Sequence, residues 1–259
     1  MRIALGVEYD GTLFNGWQAQ PNQRTVQGTL EAAISQVANC DTTIHAAGRT
    51  DAGVHALNQV IHFDTDAVRN DRSWLLGVNA NLPNDVVVNW VKQVNDEFHS
   101  RFSAQRRQYR YMVLNRLSRS ATQHKRMWWF YKPLDIEQMQ LAANRLLGQH
   151  DFSALRAKEC QAKSPIKTLD AITVTRRGDC IAVDVVARSF LHHMVRNIMG
   201  VLTAVGEGKQ PVDWVDAVIA SKNRDKAGVT APPEGLYLSD VIYPDEYALP
   251  TVSALPVLW

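Results

Sequence analysis

Apolar and polar residues alternate from Arg2 to Tyr9, with Ile3, Leu5, Val7 and Tyr9 on one face, which predicts a half-buried strand. Asp10-Gly11-Thr12 turns the chain, and a polar loop over Gln18–Arg24, containing Pro21, leads into a helix with Val26, Leu30, Ala33, Ile34 and Val37 on one side. Strands follow at Thr42–Ala47 and Leu57–Asp64. A second helix begins near Asp71, with Trp74, Leu75, Val78 and Leu82 inward, and Val86–Val94 is a further strand. This order, β-α-β-β-α-β, is that of a ferredoxin-like unit.

The second half has the same order without close sequence repetition. Tyr109–Asn115 predicts a strand and Asp135–Leu147 a helix stopped by Gly148. Leu169–Arg176 and Ile181–Arg188 form a hairpin through the three residues Arg177-Gly178-Asp179. Leu191–Val205 and Val212–Ser221 are helices, and Leu236–Tyr243 is the closing strand. The fold class expected is α+β, with two ferredoxin-like halves, 1–104 and 105–259. Their antiparallel sheets would join into one extended sheet, with helices on one side and a broad cleft on the other. The tail beyond Pro244, with Pro250 and Pro256, reads as extended and loosely packed.

Composition narrows the class. At 46% hydrophobic and 21% charged residues the chain is a soluble globular protein. With no apolar run of about 18 residues and no signal-peptide h-region, a cytoplasmic protein without a membrane partner is expected. Cys40, Cys160 and Cys180 are odd in number and lack CxxC spacing, and the eight histidines form no ligand pattern, so no metal is expected.

The net charge of +2 is a weak pointer to nucleic acid, but its distribution says more. Arg101, Arg106, Arg107, Arg110, Arg116, Arg119, Lys125, Arg126 and Lys132 are interleaved with Phe98, Phe102, Tyr109, Tyr111, Trp128, Trp129, Phe130 and Tyr131. Charge for phosphates and flat faces for bases is what RNA sites need, although a solvated strand face over core aromatics has the same composition.

The densest chemistry lies in Ala47-Gly48-Arg49-Thr50-Asp51-Ala52-Gly53-Val54-His55-Ala56. Gly48 and Gly53 bracket Arg49 and Asp51, and positive φ at both would present the two charged side chains from a tight loop on a sheet. On this pattern alone a plain turn is the simpler reading.

Five separated blocks change that weighing. They are Tyr9-Asp10-Gly11-Thr12 with Gly16-Trp17-Gln18-Ala19-Gln20 and Arg24-Thr25-Val26-Gln27; Gly48 to Ala56; Phe102-Ser103-Ala104 with Tyr109-Arg110-Tyr111; Ser189 to Asn197; and Ala231 to Leu238. Together, over Tyr9 to Tyr243, they resemble the tRNA pseudouridine synthases of the TruA type. The resemblance implies isomerisation of uridine to pseudouridine in the anticodon arm of tRNA, at positions 38, 39 and 40, by a homodimer that needs no cofactor or metal. Asp51 would then be the nucleophile, since a carboxylate suits attack on a developing sugar cation or elimination at its 2′ position. Arg49, otherwise a phosphate contact or ion-pair partner, would help extrude the target base. By resemblance, Tyr109 stacks on the flipped uracil and serves in removing the C5 proton, Arg196 pairs with Asp51, and Leu238 lines the uracil pocket. Candidate tRNA contacts are Arg69, the segment Phe98-His99-Ser100-Arg101-Phe102 and, less strongly marked, Glu159-Cys160-Gln161-Ala162-Lys163. His192, His193 and Arg196 fall opposite the apolar stripe of the helix predicted over Leu191–Val205. The rivals are a non-catalytic RNA-binding module and a glycosidic hydrolase, which would call for paired acidic residues.

Overall fold

The computed structural model describes residues 1–251. The described residues divide into two compact units: Met1–Gln105 together with 237–251, and Arg106–Leu236.

In the first unit, β1 (Arg2–Tyr9) is the central strand. It pairs antiparallel with β3 (His55–Asp64), setting Leu5 against Ile61, and with β4 (Val86–Val94), setting Leu5 against Val91. The outer edge of β3 is shared. β2 (His45–Ala46) covers Ile61 and His62, and β10 (Leu236–Ile242) runs parallel along His55 and Ala56. Helix α1 (Val26–Ala38) starts where the Thr25 hydroxyl accepts the Gly28 N–H, and it ends on left-handed Asn39 at φ 57°. Helix α2 (Asp71–Asn81) is capped by Asn70, which accepts from Ser73 at 2.7 Å. Its Trp74 is fully buried, edge-on to Phe63 at 5.3 Å.

The predicted β-α-β-β-α-β order is found in this unit, with the strand expected at Thr42–Ala47 shortened to two residues. The expected loose tail instead packs down in its first part: Tyr247 meets Phe98 edge-on at 5.1 Å, and Lys92 donates to the Ala248 carbonyl. The rest of the tail, from Val252, lies outside the described residues.

In the second unit, β5 (Arg106–Asn115) pairs antiparallel with β9 (Cys180–Ala187), β9 with β8 (Ile166–Arg177), and β8 with β7 (Gly148–Asp151). A short β6 (Trp128–Phe130) runs parallel to β5. The β8–β9 turn has two residues rather than three, because Arg177 and Cys180 pair directly and Gly178 takes φ 57°. Helix α3 (Ile136–Asn144) stops three residues short of the expected end, and Gly148, at φ 87°, opens β7 instead of closing a helix. Helix α4 (Met194–Gly206) is buried almost all round, and α5 (Trp214–Ser221) follows it. Among the described residues, no helix is long and apolar enough to cross a membrane.

Candidate active site

In the first unit the opening motif forms a cradle for the Arg49–Asp51 loop. Trp17 N–H donates to Thr50 O at 3.0 Å, Gly53 N–H to Phe14 O at 3.3 Å, and Val54 N–H closes a turn onto Asp51 O at 3.1 Å. The buried Tyr9 and Thr50 hydroxyls lie 2.8 Å apart. Gln59 Nε2 holds Gly48 O at 2.6 Å. Gly53 takes the expected positive φ, at 78°, whereas Gly48 does not; the second such glycine of the cradle is Gly16, at φ 84°, which backs onto Thr50 and Asp51. With its backbone fixed from three sides, the loop presents Asp51 half-buried and Arg49 exposed. Arg49 has no ion-pair partner among the described residues.

His55 anchors the far end of this loop. Its Nδ1 lies 3.0 Å from the Gly11 N–H and 3.1 Å from the Asp10 carboxylate, and its ring stacks on Tyr237 at 4.6 Å. The Asp10 carboxyl is held well below the ordinary carboxylate range, first by its hydrogen bond with His55 and then by donation from the Thr12 hydroxyl and N–H. The next β10 residue, Leu238, pairs with Ala56 and is fully buried. This brings Leu238 to the end of the Arg49–Asp51 loop, within the same unit.

The segment from Phe98 to Phe102 splits into anchors and presented groups. Phe98 and Ser100 are 0% exposed, which removes them as direct RNA contacts. Phe98 is enclosed by His62, Tyr243 and Tyr247. His62 Nδ1 accepts from Ser100 N–H at 3.2 Å and lies 2.9 Å from its hydroxyl; Tyr243 OH donates to Ser100 O, and Arg2 to Phe98 O at 2.9 Å. These clamps leave half-buried His99 and exposed Arg101 and Phe102 facing outward, with His99 and Phe102 rings 4.3 Å apart. Arg69 is likewise exposed, just before the α2 cap.

His62 carries a pH consequence. Burial, reinforced by the charges of His99, Arg2 and His45, pushes it down to about 3. Its folded value lies below the unfolded one, so the unfolded chain binds the proton first. Stability from this group is present in full above about pH 6.5 and is lost as pH falls toward 3. Between pH 7 and 5 the wild type is expected to lose about 2 kcal/mol from this source, and His62→Gln, which keeps an acceptor for Ser100, should lose less. Urea unfolding at the two pH values checks this; equal losses in both proteins would remove His62 as the cause.

In the second unit Tyr109 lies on β5 opposite Val185, 9% exposed, with Phe190 edge-on at 5.0 Å. Arg196 stands in the first turn of α4. Its Nε donates to Ala231 O at 2.8 Å, and Ala231 N–H returns to Arg196 O at 3.1 Å. Tyr111 OH donates to Pro232 O at 2.6 Å, and burial, with the Glu234 charge, pushes its hydroxyl well up, so it stays a donor. The Ala231–Gly235 block is therefore tied to both β5 and α4. His192 and His193 are not on the helix face expected of them: they precede α4, with rings 4.0 Å apart, and His193 takes left-handed φ 60°. Glu159–Lys163 forms a loop in which Glu159, Gln161 and Lys163 are exposed. Buried Asn197 closes the Ser189–Asn197 block but is given no role from sequence. Its Nδ2 holds Leu155 O, while its Oδ1 accepts from Arg224 and Thr230, fixing the start of α4 behind Arg196. An amide among the apolar residues Val195, Ile198 and Met199 was the available signal.

Comparison with known proteins bears on both units. A family model described as tRNA pseudouridine synthase matches residues 6–103 and 142–244. The chain is 52% identical over 259 residues to tRNA pseudouridine synthase A of Nitrosococcus oceani, covering 100% of both chains. It is 51% identical over 249 residues to that of Methylococcus capsulatus, covering 96% of this chain and 92% of the relative. With that of Shewanella piezotolerans it shares 49% over 257 residues, covering 99% and 98%. The cradled Asp51 loop of the first unit and the Tyr109 and Arg196 positions of the second thus lie in a chain that belongs to the tRNA pseudouridine synthase family.

Proposed function

We propose that this enzyme isomerises uridine to pseudouridine in the anticodon arm of tRNA, at positions 38, 39 and 40, with Asp51 as nucleophile. Isomerisation in tRNA is the activity of the family to which the chain belongs. The observation that carries the assignment to Asp51 is its place on a backbone held by Trp17, Phe14 and Tyr9, on the same tight loop as the exposed Arg49.

The reaction breaks the C1′–N1 bond and forms C1′–C5; C5 loses its proton and N1 gains one. Nothing is oxidised or reduced, so the bookkeeping closes without a cofactor. Asp51 either adds to C1′ or takes a proton from C2′, and both routes need it ionised. Arg196 pairing with Asp51 would favour that form. Arg49 enters the stack as the target base leaves it, since a base inside an RNA helix is out of reach. Tyr109 stacks on the freed uracil and takes part in removing the C5 proton, and the fully buried Leu238 backs the apolar wall of the pocket. Arg69, His99, Arg101, Phe102 and the Glu159–Lys163 loop contact the rest of the tRNA, with Phe98 and Ser100 acting as anchors. The enzyme works as a homodimer in the cytoplasm, where its substrate is.

Transcripts labelled with tritium at uracil C5 test the target. Wild type should release tritium from transcripts with uridine at 38, 39 or 40 and none when all three are cytidine. Undiminished release from the latter would overturn the anticodon-arm assignment.

A further inference from the structure

Between Asn115 and Lys132 the second unit has a surface that holds none of the proposed catalytic residues, within the stretch 104–141 that the family model leaves unmatched. The two-residue period of β6 turns Trp128 and Phe130 inward, where Trp128 meets Tyr111 at 6.1 Å and Phe130 at 5.2 Å. Trp129 and Tyr131 face the other way, 42% and 55% exposed, with ring centroids 6.2 Å apart. The Trp129 indole N–H donates to Arg116 O at 3.0 Å, which fixes the ring, and neighbouring Leu117 is 82% exposed.

Several cations of this basic stretch are engaged: Arg116 lies 3.5 Å from Asp179 and Lys132 lies 3.3 Å from Glu207. Those on β5 are engaged within the unit: Arg106 with Asp170 at 3.1 Å, Arg107 with Arg188 O at 2.8 Å, and Arg110 with both oxygens of Asp184. Arg119, Lys125 and Arg126 lie exposed on the loop between β5 and β6. Arg119 and Lys125 have no carboxylate partner among the described residues.

We propose that this loop and the outer face of β6 form a second tRNA contact, separate from the one that holds the target uridine. Arg119 and Lys125 take the ribose-phosphate backbone, and Trp129 and Tyr131 offer stacking faces to an unstacked base. Charge complementarity selects the occupant. The substrate is a polyanion whose loops expose flat bases, which matches exposed cations set beside stacking faces. The proposal rests on tRNA being the substrate and not on the role of Asp51.

The test uses the full chain and whole unmodified tRNA, measuring equilibrium binding across salt concentrations and single-turnover tritium release at saturating tRNA. The double variant Arg119→Glu/Lys125→Glu should bind about tenfold or more weakly at 0.1 M salt, on the order used for such comparisons, with the log–log salt slope reduced by about 2. Tyr131→Ala should weaken binding about fivefold or more through the lost stack. Saturated turnover should be unchanged in both, and matching thermal melts confirm that they fold. Affinity within twofold of wild type at an unchanged slope would overturn the proposal. So would a shift in sedimentation with tRNA affinity intact, which would assign the face to a second copy. Firm wild-type binding without turnover would sink the catalytic reading and leave this one standing.

Discussion

Asp51→Asn should release no measurable tritium from C5-labelled tRNA, a fall of at least about 10⁴-fold in single-turnover rate, with tRNA affinity within about threefold of wild type. The substitution is nearly isosteric. The contacts that set the loop run through the Thr50 carbonyl, the Thr50 hydroxyl and the Asp51 carbonyl, none of which it changes. What it removes is the negative oxygen that can bond to C1′ or accept the 2′ proton, and a neutral amide does neither. Binding and chemistry should therefore separate. A variant rate within tenfold of wild type would end the assignment of Asp51 as nucleophile.

Gly11→Ala should be the most damaging small substitution in the cradle. A Cβ there would stand 2.0 Å from Val54 O and 2.5 Å from Val54 C, against backbone that has no rotamer by which to move aside. Gly11 also donates its N–H to His55 and accepts from Phe14, so it cannot retreat without breaking the cradle. The expected cost is about 3 kcal/mol or more, a drop in melting temperature of roughly 6–12 °C. Chemistry should be lost even in the folded fraction, because displacing Val54 opens the Asp51–Val54 turn. Gly208→Ala is the control: with φ 75° and open space around it, it meets only left-handed backbone strain, about 1 kcal/mol. Equal melting of the two variants would show that the approach of Gly11 to Val54 is not what holds the loop.

Much of this was legible in the chain because hydrophobic period and turn chemistry agree. Ile3, Leu5, Val7 and Tyr9 alternate cleanly, Thr25 and Asn39 bound α1, and the Arg49–Asp51 loop carries its own glycines. What escaped depends on contacts distant in sequence. Phe98 and Ser100 looked like exposed RNA-facing residues, yet His62 and Tyr243 bury them, and no local pattern marks that. The basic and aromatic stretch after residue 105 read as one feature, but on β5 the arginines meet Asp170 and Asp184, partners found only once β8 and β9 are in place. His192 and His193 carry helical periodicity and still stop short of α4, since left-handed backbone at His193 breaks the helix there. The sequence reading ends the second half with the strand at Leu236; its pairing in parallel with β3 could not be read from its own residues.

That pairing has a consequence for the order of events at the ribosome. The first unit is assembled from the two ends of the chain, so it cannot be finished until β10 has been synthesised. Elongation through the roughly 130 intervening residues, at 5–20 residues per second, leaves a delay of about 7–25 s. Throughout it the rim of β3 beside His55 is open, and Phe98 waits without Tyr243 and Tyr247. The second unit is contiguous and is free to mature in that interval. The nascent first unit should thus seat the His55 end of the Arg49–Asp51 loop last, when Tyr237 arrives to stack on that ring.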